Sequence, residues 1–142
     1  MVKRVLRWVF LAIIVLLGVI QFIPYGHSHT NPPVRVEPSW DSANTRDLAV
    51  RACFNCHSNE TEWPWYSNVA PVSWVVQSHV EEGRRKMNFS EWEQSQEDIE
   101  EITEVITNGE MPPWDYLVIH PEARLSASER DALLRGFARS IP

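Results

Sequence analysis

Cys53-Phe54-Asn55-Cys56-His57 constrains this chain more than any other stretch. Two thiols three positions apart, with a histidine directly after the second, form the attachment pattern of c-type haem. Each thiol can add to one vinyl group of a porphyrin, and the fixed offset then delivers the imidazole of His57 to one face of the iron. These are the only two cysteines among 142 residues, so no thiol remains for a disulfide framework. A thioredoxin-like dithiol calls for a βαβ setting, and no strand-rich pattern surrounds this pair. A structural zinc site calls for four ligands, and there is no second Cys/His pair at close spacing. The pattern predicts one covalent haem c on Cys53 and Cys56, with His57 as an axial iron ligand.

The N-terminus sets the expected compartment. Trp8 to Ile20 is entirely apolar or glycine, Phe22 and Ile23 extend it, and Lys3, Arg4 and Arg7 precede it. Such a segment is a secretory signal or a signal anchor. Gly26-His27-Ser28 is a poor cleavage site, so residues 1–23 are expected to form an uncleaved transmembrane helix, with tilt or snorkelling at its flanks. Cations ahead of the span keep the N-terminus in the cytoplasm and place the remainder on the periplasmic side of the inner membrane. Covalent haem attachment points the same way, because it takes place outside the bacterial inner membrane. Beyond residue 23 only ten Lys and Arg face all 19 carboxylates. That balance argues against nucleic acid or anionic lipid as a partner of the exported part. It suits either simple solubility or a redox partner carrying a basic docking patch.

Residues 24–39 carry Pro24, Pro32, Pro33 and Pro38 and read as an extended tether. Residues 40–142 suffice for one compact domain. Four helices are expected there. Asp41 to Ala52 offers Leu48, Ala49 and Ala52 to a core, and Pro71 to about Glu82 carries Val72, Val75, Val76 and His79 on one face. Glu97 to Asn108 groups Ile99, Ile102, Val105 and Ile106 ahead of Gly109 as a C-terminal stop. The last helix starts at Ser126, whose spacing to Glu129 fits a capping box, and buries Leu133, Leu134, Phe137 and Ile141. No segment alternates well enough for a strand. The expected fold is all-α, a small cytochrome c-like domain wrapped around its haem, which supplies much of the core between long loops. Trp40, Trp63, Trp65, Trp74, Trp92 and Trp114 can line the porphyrin or form an ordinary aromatic core.

The second axial position decides what a haem can do. Met111 is the first candidate. It follows a helix within Gly109-Glu110-Met111-Pro112-Pro113-Trp114, where two prolines stiffen an extended segment able to hold a thioether in place. His79, on an apolar helix face, and His120, between Leu117-Val118-Ile119 and Pro121, are the alternatives, His120 also as a partner of a haem propionate. Met87 stands among basic and polar residues and reads as less buried, while His27 and His29 read as solvated tether residues.

Further motifs carry a resemblance. Arg51-Ala52-Cys53-Phe54-Asn55-Cys56-His57-Ser58-Asn59, Trp63-Pro64-Trp65-Tyr66-Ser67-Asn68 and Ala70-Pro71-Val72-Ser73-Trp74 come first. Glu82-Gly83-Arg84, Asn88-Phe89-Ser90-Glu91-Trp92, Met111-Pro112-Pro113-Trp114 and His120-Pro121-Glu122-Ala123 follow. From Trp40 to Phe137 the chain resembles the bacterial haem-binding domain family, short exported proteins similar to c-type cytochromes. The resemblance implies one covalent haem on Cys53 and Cys56 with His57 as axial ligand, and brings no defined substrate or partner. Met111 as sixth ligand rests on similarity to the Met-Pro element of small soluble cytochromes c.

The leading functional expectation is a membrane-anchored, periplasmic mono-haem cytochrome carrying single electrons between redox partner proteins, without bond-making catalysis. The alternative is a haem-based sensor or small-molecule binding module with a weak or open sixth position. A peroxidase ranks third, since a second attachment motif and an evident distal acid–base pair are both absent from the sequence. The carboxylates Glu97, Asp98, Glu100, Glu101 and Glu104 read as a solvated helix face or as a docking face for a basic donor.

Overall fold

The computed structural model describes residues 1–93 and 99–140. It is all-α. Helices run over Val2–Ile20 (α1), Ala43–Ala52 (α2), Phe54–His57 (α3), Val72–Lys86 (α4), Ile99–Thr107 (α5), Trp114–Ile119 (α6) and Ala127–Ser140 (α7). Single 3-10 turns lie at Trp65–Asn68 and Pro121–Ala123. No strand occurs among the described residues; the β element there is one isolated bridge between Val36 and Glu91.

The chain divides into two units, residues 1–30 with 63–79 and residues 31–62 with 80–142. In the first, α1 has no buried residue. The transmembrane helix expected over 1–23 is not supported: among the described residues no helix is long and apolar enough to cross a membrane. Lys3, Arg4 and Arg7 fall inside α1, and the uncharged remainder from Trp8 to Ile20 extends about 20 Å at ~1.5 Å per residue, against a hydrocarbon core of ~30 Å. At its end the Gln21 amide donates to Ala70 O (2.9 Å) and accepts from Ala70 N–H (3.0 Å). Neither tether histidine is simply solvated. His29 stacks on Trp63 at 4.6 Å with Nε2 2.9 Å from Ser67 O, and Nε2 of His27 is buried without a hydrogen-bond partner among the described residues.

The second unit holds the core. Leu48, Ala49 and Ala52 of α2 meet Leu133 and Phe137 of α7, Ile102 and Ile106 of α5, and Phe54, Met87, Phe89 and Leu125. Trp40 and Trp92 pack against this cluster, Trp92 stacked on Phe89 at 5.8 Å. Met87 is only 7% exposed, so its expected surface position is corrected. Its thioether fills the core beside exposed Lys86, while the neighbouring Asn88 is buried too, donating to Asn59 Oδ1 at 3.0 Å.

Sequence signals account for most boundaries. Ser42 caps α2 by accepting from Thr45 N–H (3.2 Å). Gly109 follows α5 with φ of 73°, the left-handed conformation that ends helices at little cost to glycine. The expected residues Glu97, Asp98 and Ile141, and the side chain of Ile99, lie outside the described ones. The tether is not loose throughout. Prolines leave its backbone extended, and Arg35 N–H donates to Ser90 O (2.9 Å), Trp92 N–H to Val36 O (3.1 Å), and Arg46 pairs with Glu37.

At the start of α7, Ser126 N–H and its hydroxyl both donate to Glu129 Oε2 at 2.8 Å, while Glu129 N–H donates to Ser126 Oγ. This is the expected capping box. Ser126→Ala is expected to cost about 1 kcal/mol, read as a melting temperature lower by about 4–8 °C. The Ser126 backbone N–H, with Arg51 beside it, holds the Glu129 carboxyl down at about 2 against an ordinary 4.5. A depressed carboxyl contributes stability above its ordinary value and loses it as pH falls through the folded one. The deficit of a Glu129→Gln variant should therefore shrink in melts taken from pH 4.5 toward pH 2.

Candidate functional site

Helix α2 delivers the cysteines. Cys53 is its C-terminal cap, donating its N–H to Ala49 O at 2.8 Å, and α3 starts at once. Cys56 N–H and His57 N–H both donate to Cys53 O (3.1 and 2.9 Å), so one tight turn carries both thiols and the imidazole. Three groups fix the turn from α4 and the segment after it. His57 Nδ1 lies 3.2 Å from Met87 O, Phe89 N–H donates to His57 O at 2.8 Å, and Arg84 Nε donates to Ser58 O at 2.7 Å. A carbonyl can only accept, so Nδ1 carries the proton and Nε2 is the ring nitrogen of metal-donor character. Burial holds the Arg84 guanidinium below its ordinary value. Gly83 is the place of closest approach: a Cβ there would stand 2.5 Å from Cys56 O.

Both cysteines are free thiols and half-buried. Burial pushes Cys53 up to about 12 and Cys56 up to about 11, from an ordinary 9.0. Thiolate is the alkylating nucleophile, so at pH 8 the haem-free protein should react with iodoacetamide about 100-fold more slowly than an unfolded control. The rate should climb until the pH passes 11. A native rate equal to the unfolded one would mean the turn is open to solvent.

Asn55, between the cysteines, links the turn to α6. Its Nδ2 donates to the Tyr116 hydroxyl at 2.8 Å, and its Oδ1 accepts from Glu62 N–H at 3.0 Å. Tyr116 stacks on His120 with centroids 4.2 Å apart, and His120 Nδ1 pairs with Glu122 at 2.9 Å. The structure thus joins His120 to the cysteine turn through two side chains. Helix α6 buries none of its residues, and Trp114 (79% exposed) and Val118 lie one turn apart on an exposed apolar stripe. Met111 precedes it, 40% exposed, beside a small cavity of about 60 Å³ lined also by Leu117, Arg124 and Leu125.

The surroundings fit a haem on the observations of this chain: two neutral thiols on one turn, an imidazole held through Nδ1 beside them, and an apolar surface on the helix tied to that turn. The cleft of about 350 Å³ on the Arg46, Phe54 and Asn55 side also bears Glu60, Glu62 and Glu122, a wall too charged for a porphyrin face. His79 falls in the other unit, half-buried on α4. The apolar face that carries it is largely exposed, Val72 and Val75 being 44% and 50% so, and α4 buries Ser73, Gln77 and Val80 instead. Sequence reading missed α6, Asn55, Tyr116, Gly83 and Arg84 as site residues. The Glu82-Gly83-Arg84 triplet was the available signal, glycine marking a close approach.

A family model described as a haem-binding domain matches residues 15–139. No curated protein and no solved structure matches the chain.

Proposed function

Because this chain belongs to the haem-binding domain family, we propose that it is a single-haem, c-type electron carrier working on the outer side of the inner membrane. The observation that carries this reading is the turn of α3, which gathers Cys53, Cys56 and His57 and presents His57 through Nδ1 to Met87 O. Cys53 and Cys56 would hold the haem covalently through their sulfurs, and His57 and Met111 would supply a nitrogen and a sulfur to its iron. When bound, the haem supplies a reversible one-electron couple. The chain's own part is to orient: the Met87 carbonyl sets the imidazole tautomer, Asn55 ties α6 to the turn, and the Trp114–Val118 stripe excludes water from one side. A sulfur ligand and an apolar shell both raise the potential. His79 and His120 are the alternatives to Met111. His120 has the stronger support, since Glu122 already occupies its Nδ1.

The basic N-terminal segment directs the domain outward and keeps it at the membrane, and the acidic domain meets partners with basic patches. Glu100, Glu101 and Glu104, all exposed on α5, belong to that face.

Visible spectra of the protein matured with haem test the proposal. Haem surviving acid-acetone extraction, a sharp reduced α band and a far-red band when oxidised are the expected results. Met111→Ala should remove the far-red band and lower the potential by on the order of 0.1 V, within the ~0.8 V that axial ligands span. An unchanged spectrum transfers the assignment to His120. Rapid binding of carbon monoxide by the reduced wild type would favour a sensor with a weak sixth ligand, and extractable haem would remove the c-type reading.

A further inference from the structure

Charge in this chain is partitioned by structural unit. Residues 1–30 and 63–79 contain no Asp or Glu, and their Lys and Arg side chains are Lys3, Arg4 and Arg7. All 19 carboxylates belong to the other unit. Within 63–79 there is no charged side chain, yet Trp63, Trp65, Tyr66 and Trp74 fall there. A stretch exposed to water alone does not need that composition.

Its surface is apolar as well. Trp65 is 79% exposed, and Val69 and Val72 are 44% each. The Gln21–Ala70 amide pair fixes this segment at the end of α1, where Phe22 (89%) and Tyr25 (43%) are also exposed. The apolar surface of α1, none of it buried, therefore continues onto Val69 and its neighbours. We propose that Trp65, Val69 and Val72 form a second membrane contact, seated at the headgroup–acyl boundary of a phospholipid bilayer beside α1.

A bilayer fits this surface better than a protein partner. Tryptophan and tyrosine favour the membrane interface, where one end of the ring is apolar and the other wet. The unit offers anionic lipid three cations and no repelling carboxylate, while the acidic unit is unsuited to that surface. Since α1 offers only about 20 Å of uncharged length, additional apolar area next to it strengthens attachment. The inference rests on the reading that the N-terminal segment holds the protein at the membrane.

The test uses the full-length haem-loaded protein in vesicles of phosphatidylethanolamine and phosphatidylglycerol. Val72→Cys and, separately, Val15→Cys are labelled with a nitroxide, and the label's accessibility to oxygen and to a water-soluble nickel chelate is read by electron paramagnetic resonance. With Cys53 and Cys56 consumed as thioethers, each variant takes one label; a higher ratio exposes a failure of covalent haem attachment, independent of the membrane result. Both labels are expected to favour oxygen, and Trp65→Ala to lower vesicle partitioning about tenfold, as loss of one buried large apolar side chain would. A lipid-facing label at 15 with a water-facing label at 72 overturns the second contact and leaves membrane attachment standing. Water-facing labels at both positions overturn both readings. A label at 72 shielded from both reagents shows that protein or cofactor covers the face, which also overturns the proposal.

Discussion

Gly83→Ala should reduce covalently bound haem by at least about tenfold and lower the melting temperature of whatever protein folds. Alanine ordinarily strengthens a helix interior relative to glycine by about 1 kcal/mol, so on propensity the change ought to help. Geometry reverses the sign. The added Cβ would stand 2.5 Å from Cys56 O, 3.0 Å from Cys56 C and 3.1 Å from Cys56 Cβ. Two of these are backbone atoms of a turn that cannot rotate out of the way. Relief requires α4 to part from α3, and the bonds that hold the two together then go: His57 Nδ1 to Met87 O, Phe89 N–H to His57 O, and Arg84 to Ser58 O. Overpacking costs about 1–3 kcal/mol and each buried hydrogen bond about 1 kcal/mol, a large part of the ~5–15 kcal/mol that stabilises a typical domain. Pyridine haemochrome measures loading, and thermal melts followed by circular dichroism measure stability. Glu82→Ala, on the same helix but exposed, is the control and should load normally. Wild-type loading with an unchanged or raised melting temperature in Gly83→Ala would refute the tight crossing.

The residues on which this prediction turns explain what a sequence can and cannot show. The cysteine spacing is local chemistry, visible in five letters. So are the Ser126–Glu129 box and the stripe Ile102, Val105 and Ile106, because both depend on contacts within one or two helical turns. Gly83 matters through a residue 27 positions away, and no periodicity encodes that distance. Helix α4 makes the same point about faces. Its valines form the apolar stripe that a core-facing helix would show, but the structure buries Ser73, Gln77 and Val80. The pattern identified an apolar face correctly and could not say what would cover it. Six-residue α6 is too short for a period to register, and it owes its place to the Asn55–Tyr116 bond. The tether over 24–39 was legible only in part: prolines announce an extended chain, whereas pairing with Ser90 and Trp92 is a matter of backbone groups that every residue has. The span over 1–23 lacks support because Lys3, Arg4 and Arg7, which flank the apolar run in the sequence, fall within the same helix.

Gly136→Ala offers the complementary case, a loss of stability of similar size without a direct effect on the haem turn. Helix α7 crosses α2 at this glycine. A Cβ there would overlap the Thr45 side chain, standing 2.8 Å from Thr45 Cβ. Thr45 is 2% exposed and held in one rotamer, its hydroxyl donating to Asp41 at 2.6 Å and meeting Ser42 at 2.9 Å. The helix on the other side is fixed too, since Ser140 Oγ donates to Gly136 O at 2.8 Å and accepts from Asp41 N–H at 2.9 Å. Neither partner yields without breaking this network, so the cost combines overpacking with lost hydrogen bonds, about 2–4 kcal/mol. At ~4–8 °C per kcal/mol the melting temperature should fall by about 8–30 °C. Thr45→Ala removes the obstructing hydroxyl and methyl, and the double variant should recover part of the deficit, giving a coupling energy that only residues in contact can show. Strict additivity would place the two side chains apart. The protein that remains folded in Gly136→Ala should still carry haem in wild-type proportion, because Cys53, Cys56 and His57 take their geometry from α3 and the end of α4. A haem yield that falls faster than the folded fraction would show instead that the α2–α7 crossing also sets the cysteine turn, through the single peptide by which α2 passes into Cys53.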